Sequence, residues 1–149
     1  MKKYGFTTTT LHSDRSKPVE HGAVHKPVHN SAAFCFADAH DLVRVFQGDQ
    51  PGFVYGRQGT PTSAALEEKV SRMGPGILTI GFSSGMAAIS ATLFSLLRAG
   101  DHLVASRFLF GNTTSLFESF GRMGVEVTFV DATEASNVEA ALRPETRMV

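Results

Sequence analysis

The 149-residue sequence has no tryptophan and a single cysteine, Cys35. One thiol cannot close an internal disulfide or build a cysteine-rich zinc site, so a reducing compartment suits the chain and a cytoplasmic protein is expected. Net charge is missing too, with 14 Lys and Arg against 14 Asp and Glu. Without a basic surplus to neutralise phosphates, neither nucleic acid nor a membrane surface is an expected partner. No apolar run approaches the roughly 18 residues that a membrane helix needs. The opening MKKYGFTTTTLHSDR has two lysines but lacks the apolar stretch of a secretory signal. What is present, 42% hydrophobic residues with 14 Gly and 12 Phe, is the composition of an ordinary globular protein.

Residues 1–35 hold Pro18, Pro27, Gly22 and a threonine run with neither helical nor strand periodicity, and read as an extended arm. Asp38 as a cap, the stripe Leu42, Val43 and Phe46, and the stop at Gly48 predict a short helix. Thr60 before Pro61, with Leu66, Val70 and Met73 behind it, predicts a second helix that ends by Gly74. From residue 76 the pattern alternates. A strand over 77–82 leads into a helix over 84–99, with Met86, Ile89, Leu93, Leu96 and Leu97 on one face and Gly100 closing it. A strand over 102–105 then precedes a helix near 114–123 closed by Gly124. A strand over 125–130 precedes a helix opened by a capping box of Ser136 and Glu139, and Met148 and Val149 begin a further strand. Strands and helices alternating through short connections predict an α/β protein, a mostly parallel sheet in three layers. Because the chain stops as a strand begins, leaving an open sheet edge, it is expected to be the N-terminal piece of something longer.

The segment GFSSGMAAI, residues 81–89, lies at a predicted strand-to-helix junction. Unpaired N–H groups and a partial positive charge at a helix start attract anions. Ser83 and Ser84 add hydroxyls, and Gly85 lets the backbone approach a phosphate closely. The plainer alternative is that Ser84 only caps the helix and Gly85 only makes the turn. No lysine follows Gly85, so the segment is not a Walker A loop. It does match G-x-S-x-G, which makes a hydrolase with Ser83 as nucleophile a rival reading. However, His102 is the only histidine after Ser83, and it follows Asp101 directly with no separate acid before it, so no triad can be assembled. His21, His25 and His29 have the spacing of one helix face, but Gly22 and Pro27 oppose that helix, and no metal site is expected. Tyr55 and Arg57, read as extended chain around Gly56, would point to one face and suit a phosphate, though on the residues alone an ordinary exposed Arg and a half-buried Tyr in a loop is the stronger reading.

The segments YGRQGTPT, FSSGMAAI and SRFLFGNTTSLF, in that order, resemble the Cys/Met metabolism family of pyridoxal-phosphate enzymes, with TTTLHSDR and HGAVHKPVHNSAAF resembling the family's N-terminal arm. The resemblance implies a fold type I enzyme. Residues 1–60 would be an arm with an oligomerisation role, and 61–149 the first part of a seven-stranded cofactor domain. It also implies that Ser84, Gly85 and Met86 cradle the phosphate of pyridoxal 5'-phosphate. Tyr55 and Arg57 would reach the phosphate of a neighbouring subunit's cofactor, in a dimer that shares its sites and assembles into a tetramer. Phe110 stands where the family commonly has a ring-stacking Tyr, a departure that resembles the sulfhydrylase branch. The lysines are Lys2, Lys3, Lys17, Lys26 and Lys69, none placed for a Schiff base, so the resemblance implies that this lysine lies beyond Val149. The implied activity is γ-replacement on an activated homoserine ester, O-acetyl- or O-succinylhomoserine, in methionine and cysteine metabolism. A cystathionine or methionine γ-lyase of the same family is the alternative. Readings outside the family are the Ser83 hydrolase and a non-catalytic phosphate-binding module.

Overall fold

The computed structural model describes residues 4–13 and 19–149; Lys2, Lys3, Lys17 and Pro18 lie outside them. The chain divides into two compact units, Met1–Gly81 and Phe82–Val149.

In the first unit, α1 (Phe6–His12) occupies sequence that had predicted only extended arm. The Thr10 hydroxyl donates back to the Phe6 carbonyl at 3.0 Å, which satisfies the side chain but does not account for the helix. A 3-10 turn follows at Glu20–Gly22, with His21 at φ 56°. Helices α2 (Ala39–Gln47) and α3 (Pro61–Ser71) form where their caps predicted. The Asp38 carboxylate accepts from the His40 amide at 2.8 Å, and Gly48 closes α2 in the left-handed region at φ 80°, which few other residues adopt without strain. Thr60 and Ser63 cap α3 reciprocally at 3.0 and 3.1 Å, while Pro61 sits in the first turn, where its missing N–H costs nothing.

Residues 77–82 do not form the predicted strand. Ile77, Leu78 and Ile80 are 98%, 67% and 66% exposed. The anchors are polar: Ser71 Oγ donates to Thr79 Oγ1 at 2.8 Å, and the Gly81 amide donates to Glu67 Oε1 at 2.7 Å. An apolar, β-rich run becomes a strand only where a neighbour takes up its backbone hydrogen bonds, and among the described residues none does.

The second unit runs α4 (Gly85–Leu96), β1 (His102–Ser106), α5 (Gly111–Arg122), β2 (Glu126–Val130), α6 (Ala135–Ala141) and β3 (Thr146–Met148). The strands lie in the order β2-β1-β3 and pair in parallel, with His102 opposite Glu126 and Ser106 opposite Val130. Leu93 and Leu97, Leu103 and Ala105 of β1, Phe117 and Phe120 of α5, and Val125 form the core. Gly124 turns the chain between α5 and β2 at φ 87°, and a Cβ there would lie 3.0 Å from Ala99 Cβ, so both the backbone conformation and the close approach favour glycine. His102, almost fully buried, joins the three strands: its ring nitrogens lie 2.8 Å from Thr146 Oγ1 on β3 and 2.8 Å from Thr128 Oγ1 on β2. Threonine hydroxyls either donate or accept, so both nitrogens are satisfied. The predicted capping box at α6 does not form. Glu134 is the N-cap, without a side-chain bond, and Ser136 is already inside the helix. Asp131 organises this turn instead, accepting from the Thr133 amide at 3.1 Å while its carbonyl accepts from the Asn137 side chain at 3.1 Å.

Beside the sheet, a hydrogen bond and the charge of the Arg143 guanidinium hold the Glu126 carboxyl below its ordinary range. A carboxylate depressed in the folded state adds stability above the pH at which the unfolded chain titrates it, and that contribution is lost as pH falls through the folded value. Glu126→Gln should therefore lower the melting temperature slightly at neutral pH and leave it equal to that of the unaltered chain once acid has protonated Glu126. Because the pair is exposed, the effect is small. A deficit that persists undiminished in acid would contradict the assignment.

Candidate functional site

Two helix N-termini in the second unit carry the residues singled out from the sequence. At the start of α4, Ser84 Oγ accepts from the Ala87 amide at 3.1 Å, and the first helical bond runs from the Ala88 amide to the Ser84 carbonyl. The Gly85 and Met86 amides precede that bond and have no intrahelical acceptor, at the positive end of the helix dipole. A Cβ at Gly85 would meet nothing within 4 Å. The packing of the chain therefore does not demand glycine there, and what glycine provides is unobstructed backbone.

Helix α5 opens at Phe110 without a side-chain cap, and the Phe110 carbonyl accepts from the Thr113 and Thr114 amides at 2.9 and 3.1 Å. The two openings are tied together, because Thr113 Oγ1 donates to Met86 Sδ at 3.6 Å. Ser84, Gly85, Met86 and Phe110 thus belong to one neighbourhood. The Phe110 ring is 89% exposed. Amides, a hydroxyl and an exposed flat ring suit a phosphate ester that carries an aromatic ring. Sequence reasoning missed Thr113, since its contact with Met86 spans 27 positions and no local pattern marks it.

Tyr55 and Arg57 lie in the first unit. The extended chain predicted for them is instead a turn, closed by the Gln58 amide donating to the Tyr55 carbonyl at 2.9 Å. An antiparallel bridge from Ala33 to Tyr55 holds its start. The turn still brings the pair together, with the Arg57 guanidinium 5.2 Å from the Tyr55 ring centroid.

His29 Nε2 lies 3.2 Å from Glu20, and among the described residues no three His, Cys, Asp or Glu side chains are placed to hold a metal ion. Both His102 nitrogens are engaged by threonines, so His102 is not free to serve Ser83 as a base. An apolar recess of about 510 Å³ against the sheet, lined by Ile89, Leu103, Leu109 and Phe117 among others, has no ionisable side chain in its wall. Among the described residues no helix is long and apolar enough to cross a membrane.

A parallel α/β unit with open helix N-termini and an exposed ring at one of them is suited to holding a phosphorylated cofactor. The Cys/Met metabolism PLP-dependent enzyme family matches residues 7–149, and the chain belongs to that family, whose cofactor is pyridoxal 5'-phosphate. It is 39% identical over 150 residues to an L-methionine gamma-lyase of Fusobacterium nucleatum subsp. nucleatum, a match covering 100% of this chain and 38% of the relative. It is 34% identical over 147 residues to the O-acetyl-L-homoserine sulfhydrylase of Corynebacterium glutamicum, covering 97% of this chain and 34% of that one. The crystal structure of metB from Corynebacterium glutamicum is similar at a TM-score of 0.84 and 31% identity, over 97% of this chain and 36% of that one. The chain therefore spans about a third to two fifths of the length of these relatives.

Proposed function

We propose that the chain supplies the phosphate-holding part of the site of a pyridoxal-phosphate enzyme of methionine and cysteine metabolism, a transferase that replaces the γ-substituent of O-acetyl- or O-succinylhomoserine with a thiol, sulfide or cysteine. One observation carries the cofactor part of this reading: the open Gly85 and Met86 amides are linked through Thr113 to the opening that bears Phe110. In this reading the two amides and the Ser84 hydroxyl hold the phosphate. Phe110 lies against the ring. When bound, the cofactor supplies an electron sink that stabilises negative charge next to the amino group of the substrate. Phe110 has no hydroxyl, so it stacks without moving a proton, and the preference for γ-replacement rests on that. The higher identity to the Fusobacterium lyase favours a second reading, γ-elimination from methionine.

Tyr55 and Arg57 are assigned to the cofactor phosphate of a neighbouring subunit, which makes the enzyme a dimer with shared sites, paired into a cytoplasmic tetramer. No lysine follows Lys69 in the sequence, so the Schiff-base lysine is assigned outside these residues and the 149-residue chain is expected to be inactive alone. Incubation with pyridoxal phosphate, borohydride reduction and peptide mass mapping should find no single lysine labelled stoichiometrically. One stoichiometric label would overturn this assignment. In a complete enzyme containing this chain, thiol capture from O-acetylhomoserine and sulfide supports γ-replacement, and 2-oxobutanoate released from methionine supports the second reading.

A further inference from the structure

Thr113 stands in the first turn of α5 and is 8% exposed, and its hydroxyl takes an unusual course. A threonine near a helix start ordinarily bonds back to its own helix, as Thr114 does with Oγ1 to the Phe110 carbonyl at 3.5 Å. Thr113 Oγ1 instead crosses to Met86 Sδ on α4, at 3.6 Å. Both ends of this bond are bound to the site by their own backbones. The Thr113 amide donates to the Phe110 carbonyl at 2.9 Å, and the Met86 amide is one of the two left open at the start of α4. Thioether sulfur accepts weakly and tolerates several geometries, so the bond adds little to overall stability. Because its two ends sit on different helices, it is a side-chain link between the two openings.

We propose that Thr113 is a positioning residue: by donating to Met86 Sδ it sets the spacing between the phosphate-holding turn of α4 and the ring-bearing opening of α5, so that one ligand engages both. This rests on the cofactor reading above. A ligand that reaches both openings gains from their preset spacing, whereas one that touches only α4 does not.

The test titrates the cofactor-free form of a complete enzyme containing this chain with pyridoxine 5'-phosphate, which has no aldehyde to react with lysines, and separately with inorganic phosphate, both followed by phosphorus NMR. Thr113→Val keeps the shape and removes the donor. It should weaken pyridoxine phosphate about fivefold, and inorganic phosphate less than about twofold, the range expected for one lost weak hydrogen bond. Thr113→Ser should restore binding, and Met86→Leu, which removes the acceptor, should reproduce the valine pattern. Far-UV circular dichroism reports whether each variant is folded. If both substitutions bind the two ligands as the unaltered chain does, or lose both equally, the inference is overturned and the cofactor reading stands. If the complete unaltered enzyme binds pyridoxine phosphate no more tightly than inorganic phosphate, Phe110 is not a stacking ring and both ideas are overturned.

Discussion

Phe120→Ala should unfold most of the second unit at room temperature. The Phe120 ring is 2% exposed, its centroid lies 4.7 Å from that of Phe94, and it shares a cluster with Leu93, Leu97, Leu103 and Val125. Truncating a buried phenylalanine costs about 3–5 kcal/mol, while whole domains are stable by only about 5–15 kcal/mol. A core this small puts the unit at the low end of that range. Phe94 provides the internal control. Its ring faces Phe120 but is 61% exposed, so Phe94→Ala should cost a fraction as much. Urea denaturation followed by circular dichroism measures both. Equal losses from the two substitutions would mean that Phe120 is not the centre of the core.

Gly85→Val should separate binding from folding. A Cβ at this position meets nothing within 4 Å, so the folded chain accepts it, and replacing glycine in a helix is neutral or favourable for stability. The space the new side chain fills is the approach to the Gly85 and Met86 amides. Binding of pyridoxine 5'-phosphate should therefore weaken by at least about tenfold, or about 1.4 kcal/mol, with the melting temperature unchanged or slightly raised. Titration and thermal denaturation of the same sample give both values. Full affinity in the valine variant would remove the α4 N-terminus as the phosphate cradle, and a fall in both quantities together would show that glycine is kept there for folding.

The parts of this architecture legible in the sequence were those fixed by local chemistry. Asp38, Gly48, Thr60 with Pro61, Ser84 and Gly124 each satisfy or redirect backbone groups within a few residues, and each marks an element end in the structure. Features that depend on distant partners were not legible. The run at 77–82 carries strand chemistry, but a strand needs a neighbour that composition cannot reveal. At α6, Ser136 and Glu139 have the right spacing for a capping box, yet Asp131 captures the turn first through Thr133 and Asn137. At the proposed site, Ser84 and Gly85 could be read from the local pattern of a helix start and Met86 only through the family resemblance, whereas the link from Thr113 to Met86 emerges only when α5 is packed against α4.

Among the described residues, none before Leu93 is buried. During synthesis the ribosome delivers the chain from its N-terminus at about 5–20 residues per second, so everything up to α4 emerges, over several seconds, without a core of its own. Apolar side chains such as Tyr4, Phe6, Val43, Phe46, Ile77 and Ile80 stay open to solvent throughout that interval. The helices of the first unit can form as they emerge, but the buried cluster of the second unit assembles only once α4, β1 and α5 have cleared the exit tunnel. A ribosome stalled before Phe120 would hold a long segment with local helices, an incomplete core and many open apolar side chains, the kind of substrate that holdase chaperones capture.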